Sequence, residues 1–382
     1  MTTTTPAVTP HTPWSDSTRT GTARGGGPAL PGPRGPVSAA VLDALRGSGS
    51  ALAGLVDLDL AGVDPYGDDL QLSLYVSYEL HYRGFAGVDD DLEWDPDLIR
   101  LRRRLEELFL MALRRDVPGG DDLPGTIDPL LEEDLDATGV SHHLRRRGQA
   151  WQMREYVAMR SLYHLKEADP QAWVIPRLHG EAKAALVSVE HDEYGAGRGD
   201  RMHSELFARM MRELDLSDAY GTYLDAAPAE VLAEVTLMSM FGLRRALRGA
   251  LVGQFAVVEL TSSPGSERLV RAAERLGLGA ATVGFYAEHV EADAAHEQVV
   301  RHGIIAPLVA ADPAIAADLV FGMQAALLLD ERLSDRIMAC WSEDRSALRR
   351  PLPEGHREVP APGGGEHVGA EQLGGREHPA SG

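Results

Sequence analysis

Residues 286–297 read YAEHVEADAAHE and place His289, Asp293 and His296 at offsets of zero, four and seven. On a helix those offsets bring two imidazoles and one carboxylate onto a single face. A nitrogen, nitrogen, oxygen set with that spacing can close on one divalent ion without help from a loop. The same pattern also arises on acidic, solvated helix faces, so the array needs partners elsewhere in the chain.

The text around it is helical. Apolar residues recur at three and four positions, and alternating apolar runs bounded by turn pairs are scarce, which predicts an all-α fold. Asp312 and Pro313 read as an N-cap and first helical residue leading into AIAADLVFGMQAALLLDERLSDRIMACW. Ser266 and Glu267 read as the opening of a helix that ends at Gly277. Ala229 to Leu260 is long enough for two helices or one bent helix, with Gly242, Gly249 and Gly253 as places for close packing or bending. Upstream, LQLSLYVSYELHY and PDLIRLRRRLEELFLMALRR read as an antiparallel helix pair, set off by a Pro/Gly/Asp loop from Val117 to Asp128.

The chain has 382 residues and a formal net charge of -21, which disfavours nucleic acid and anionic membrane as partners. Its single cysteine, Cys340, excludes an internal disulfide, and no apolar run has the length of a bilayer span, so a soluble cytoplasmic protein is expected. Residues 1–36 are rich in Thr, Pro and Gly without a signal-peptide pattern and are expected to be disordered, as is the tail 349–382. That tail carries His356, His367 and His378, expected to stay solvated rather than to capture metal.

Three further segments offer ligands. Glu167 lies in SLYHLKEADPQAW, near a helix end that Pro170 enforces; its bland reading is a solvent-facing carboxylate. The stretch VEHDEYGAGRGDRMHSELFARMM carries Glu190, His191, Glu193 and His203, and its glycines at 195, 197 and 199 predict a bend that lets Glu193 and His203 face one point. Glu259 closes the apolar run GQFAVVEL, where an unpaired buried carboxylate is costly; it either faces a cation or is capped by Thr261, Ser262 or Ser263. Glu167, Glu193, Glu259 and Asp293 supply four negative charges, and His203, His289 and His296 supply neutral nitrogens. Such a set neutralises two divalent ions and, lacking thiolate, suits iron or manganese. A second E-x-x-H motif is missing, which disfavours a ferritin-type site. Glu79 and His81 sit at positions that do not share a helix face, so at most one points inward, in a structural role; His142 and His143 are expected at the surface.

The words LKEADPQAWVIPRL, DEYGAGRGDRMHSELFARMM, FGLRRALRG, ELTSS and EHVEADAAHEQ resemble signature blocks of the haem-oxygenase-like di-iron oxidases and oxygenases, in particular the actinobacterial iron-containing redox enzyme family. The resemblance runs from about Tyr163 to Trp341. It implies a haem-oxygenase-like helical core over 151–348, preceded by a helical extension over 37–150. It also implies that Glu167, Glu193, His203, His289, Asp293 and His296 ligate metal, with Glu259 where some members place a further glutamate. Members differ on whether that position or the second-helix glutamate binds. The implied cofactors are two iron ions with dioxygen as co-substrate. The implied activity is oxidation of a small organic substrate, by N-oxygenation or by oxidative C–C or C–H cleavage, with an external electron donor and a homodimer both allowed. The alternatives are a haem-binding protein of the same fold and a non-catalytic helical module for metal binding or interaction.

Overall fold

A computed structural model of the protein describes residues 27–47, 52, 54–132 and 138–352, and these residues contain helices and turns without a β-strand. The expected disorder at 1–26 and 353–382, with the three tail histidines, lies outside the described residues. Residues 27–35, expected to share that disorder, are instead pinned: Pro28 accepts from the Ala86 amide, Gly32 donates to Asp225, and Arg34 donates to Asp68 and to the Leu224 carbonyl. At the other end the Arg349 amide donates to the Ala226 carbonyl.

The upstream helices are α1 (Pro36–Arg46), α2 (Asp68–Glu79), α3 (Pro96–Asp116) and α4 (Leu123–Leu131). α3 starts where Asp95 accepts from the amides of Asp97 and Leu98 and Pro96 takes the first helical position. It buries Leu98, Leu101, Leu105, Phe109 and Ala112 at a three-and-four spacing, with Arg100 and Arg103 exposed and Arg102 and Arg104 half-buried. Tyr78 on α2 donates to Glu106 on α3, joining the expected pair. The expected loop at 117–128 is broken by α4, which Asp122 caps by accepting from the Gly125 amide. Glu79 and His81 are both buried, because α2 ends at Glu79 and the chain then turns His81 inward against Glu93 and Arg102.

Downstream come α5 (Val140–Arg147), α6 (Ala150–His164), α7 (Gly180–Glu193), α8 (His203–Glu213), α9 (Ala229–Leu243), α10 (Arg248–Leu276), α11 (Ala280–Gln298), α12 (Ala306–Ala311) and α13 (Ile315–Ser342). A π-helical segment, Val299–Ile305, continues α11. The span 229–260 is therefore two helices, broken at Arg245–Leu247. α10 is the central element and packs against α5, α9, α11 and α13. Gly253 on α10 lies against the Leu319 carbonyl of α13, and Gly322 on α13 lies against the Ala250 carbonyl of α10, so the two backbones meet where neither helix has a side chain to hold them apart.

The helix expected to open at Ser266 does not exist as a separate element. α10 runs through Pro264 and ends at Gly277, whose φ of 68° is the left-handed cap conformation. Thr261 returns its hydroxyl to the Val257 carbonyl and Ser263 donates to the Val290 carbonyl of α11, so tertiary packing carries the helix across a locally helix-breaking sequence. α13 begins at Ile315, with Asp312 accepting from the Ala314 amide one turn before it.

Candidate metal centre

Four helices and one turn deliver the side chains. Glu167 lies just after α6, Glu193 closes α7, His203 opens α8, Glu259 is on α10, and His289, Asp293 and His296 line one face of α11. All seven are buried. The glycine-rich turn between Glu193 and His203 is not helical throughout: Gly195, Ala196 and Gly197 have φ values of 67°, 53° and 77°. A Cβ at Gly195 would also meet the backbone of Arg201 and Met202 at 2.6 Å, so the turn requires glycine there. This reversal points Glu193 and His203 at each other, with Glu193 Oε2 at 2.8 Å from His203 Nδ1.

The candidate ligand atoms form two groups. Those of Glu167, His203 and His289 lie within 4.8 Å of one another, and so do those of Glu193, Glu259 and His296. Glu193 joins the groups, its Oε2 toward His203 and its Oε1 at 3.6 Å from His296 Nδ1. Asp293 belongs to neither triad; its Oδ1 lies 3.6 Å from His296 Nδ1 and its Oδ2 is buried without a hydrogen-bond partner. Glu259 Oε2 lies 3.2 Å from His296 Nδ1, while Thr261 and Ser263 bond to backbone carbonyls instead, so the capping alternative for Glu259 does not hold for those two.

The arrangement is short of cations. Burial raises the Glu259 carboxyl to about 8. Burial alone would lower His289 and His296, but the surrounding carboxylates outweigh it and raise them to about 10 and about 11. His289 holds one nitrogen to the Phe285 carbonyl, 2.8 Å from Nδ1, which places the proton on Nδ1 and turns Nε2 toward Glu167. His289 Nε2, Glu167 Oε2 and Asp293 Oδ2 are buried polar atoms with no hydrogen-bond partner in the protein. Buried orphans are costly unless something else binds them, and carboxylate oxygens with imidazole nitrogens and no thiolate fit iron or manganese.

Two further residues support this set: His164, which the sequence reading passed over, and Glu190, which it named as a candidate without placing it in the ligand set. His164, three residues before Glu167, places Nδ1 at 2.7 Å from Glu167 Oε1 and stacks its ring on Phe207. It orients the carboxylate. Glu190, one turn before Glu193, is buried with both oxygens unpartnered, and burial raises its carboxyl to about 9. The signal for both was the i, i+3 spacing to a chosen ligand. His142 and His143 are half-buried rather than at the surface; His143 pairs with Gln152 and His142 lines a cavity.

That cavity has a volume of about 420 Å³. Glu167, Glu193, Glu259, His289 and Asp293 line one part of it, and Tyr156, Arg160, Glu234 and Asp330 line another, with Leu237, Met238, Phe255 and Phe285 as apolar surfaces. Among the described residues no helix is long and apolar enough to cross a membrane. No curated protein matches the chain. Residues 154–331, which carry all seven expected ligands, match the model of a family described as iron-containing redox enzyme, the family that the signature blocks resemble, and the described residues are all-α, as a haem-oxygenase-like fold requires.

Proposed function

We propose that the protein is a non-haem di-iron oxidase or oxygenase that activates dioxygen to oxidise a small organic substrate, by N-oxygenation or by oxidative C–C or C–H cleavage. The observation that carries this reading is Glu193, one carboxylate with an oxygen toward each of two buried ligand groups. On this reading Glu167, His203 and His289 hold one ion, and Glu193, Glu259 and His296 hold the other, with Asp293 beside the second. Two ferrous ions there would supply electrons for the reduction of dioxygen. Manganese fits the same donors.

The protein's own part is positional. His164 keeps Glu167 in place through Oε1 and leaves Oε2 for the centre. The Phe285 carbonyl fixes the His289 tautomer with Nε2 facing the site. Phe285, Phe255 and Met238 give the cavity apolar surface beside the candidate ligands. The chain works in the cytoplasm, where a lone cysteine stays reduced, and draws any further electrons from an external donor.

The test is dioxygen uptake. Protein loaded anaerobically with ferrous iron should consume dioxygen faster than the same iron in buffer, and His296→Ala should remove the difference. Uptake equal to free iron would overturn the oxidase reading, and a stoichiometric Soret band on haem addition would favour a haem-binding protein instead.

A further inference from the structure

The cavity has a second charged wall that the ligand set does not use. Arg160 on α6 donates from Nη1 to Glu234 Oε2 on α9 at 2.7 Å. Asp330 on α13 lines the same cavity, and it has no hydrogen bond or ion pair to any described residue. Glu234 Oε1 is buried without a partner. So is Gln254 Oε1, on a cavity-lining side chain only 4% exposed.

One guanidinium therefore serves two carboxylates. The Nε of Arg160 is also unpaired, but Nη1 already commits its charge to Glu234. Arg268, also on the cavity wall, donates to Ser141 and is not among the charges acting on Glu234 or Asp330. What remains is one carboxylate in excess of the guanidinium, Asp330, exposed on α13, beside two buried acceptor atoms, Glu234 Oε1 and Gln254 Oε1, with nothing in the protein to accept from. Burial raises Glu234 to about 7 and, despite the proximity of Arg160, desolvation also raises Asp330, which stands at an exposed position of α13.

We propose that this wall binds the protonated nitrogen of the substrate, so that the oxidised molecule is a small organic cation carrying an ammonium held among Asp330, Glu234 and Gln254. The substrate class rests on the oxidase reading above; the nitrogen site does not depend on it. Arg160 precedes His164 by four residues, about 6 Å along a helix axis, and His164 holds Glu167. Glu167, His289 and Asp293 line the same cavity as Asp330, Glu234 and Gln254, so a molecule held by its ammonium on this wall shares that space with the candidate metal ligands.

The test uses n-pentylamine and its matched carboxylate, n-pentanoate, titrated into the full chain by ligand-observed NMR, with bound manganese per chain measured on the same samples. The amine should bind and the carboxylate should not. Asp330→Asn should weaken the amine roughly tenfold or more, as loss of a charged hydrogen bond does, with manganese unchanged. Asp330→Lys should abolish amine binding. Amine affinity unchanged in Asp330→Asn, or pentanoate binding as tightly as pentylamine, would overturn the subsite. Asp330-dependent amine binding by a chain that takes up no metal would leave the subsite standing and sink the di-iron reading, whereas metal uptake without amine binding would do the reverse.

Discussion

Glu193 and His203, ten residues apart, meet at 2.8 Å across a turn whose left-handed residues are Gly195, Ala196 and Gly197. The same carboxylate reaches His296 with its other oxygen, so one side chain belongs to both ligand groups. Glu193→Ala should therefore cost more than the loss of any ligand confined to one group. Metal analysis after equilibrium dialysis should find Glu193→Ala depleted at both positions and Glu259→Gln depleted at one. Equal losses in the two variants would deny Glu193 its joining role.

His296→Ala should leave the fold intact and remove the second ion. Alanine is the best helix former, and His296 faces carboxylates rather than an apolar seam, so far-ultraviolet circular dichroism should barely change. The variant should retain about one ion per chain and lose iron-dependent dioxygen uptake. Retention of two ions would remove His296 from the ligand set.

The buried pair Lys166 and Glu79, 2.9 Å apart, ties the upstream helices to the segment that carries Glu167. Lys166 also lies 4.2 Å from the Tyr82 ring centroid, and Tyr220 donates to Glu79. Glu79→Gln leaves a fully buried cation without its counter-charge and should destabilise the protein by about 3–5 kcal/mol in urea unfolding. Adding Lys166→Met should restore most of that, since removing both charges costs far less than removing one. A double variant no more stable than Glu79→Gln alone would contradict this.

Gly253→Ala should lower the melting temperature by several degrees. Its Cβ would overlap the Leu319 carbonyl, a backbone atom that cannot rotate away, so α10 and α13 must separate, at about 1–3 kcal/mol. Gly284→Ala, where the new Cβ meets open space, is the control and should be neutral or stabilising. Equal melting temperatures for the two variants would mean that the close approach is not needed.

What could be read from the sequence follows from how local each signal is. The shared face of α11 was legible because His289, Asp293 and His296 sit on one helix at helical spacing, and the Glu193–His203 reversal because glycines announce it. The continuity of α10 through Pro264 was not, since the hydroxyl and interhelical bonds that carry it depend on α11. The ordering of residues 27–35 likewise depends on Asp225 and Leu224, nearly two hundred residues away. His164 sits three residues before Glu167, but α6 ends at His164, so the spacing becomes a contact only through the turn that brings Glu167 back beside it.

The most direct measurement is an anaerobic titration of the full chain with ferrous iron, followed by quantification of tightly bound metal. Two groups of buried ligands joined by Glu193 predict a plateau at about two irons per chain. A plateau at one, or none, would contradict a dinuclear centre.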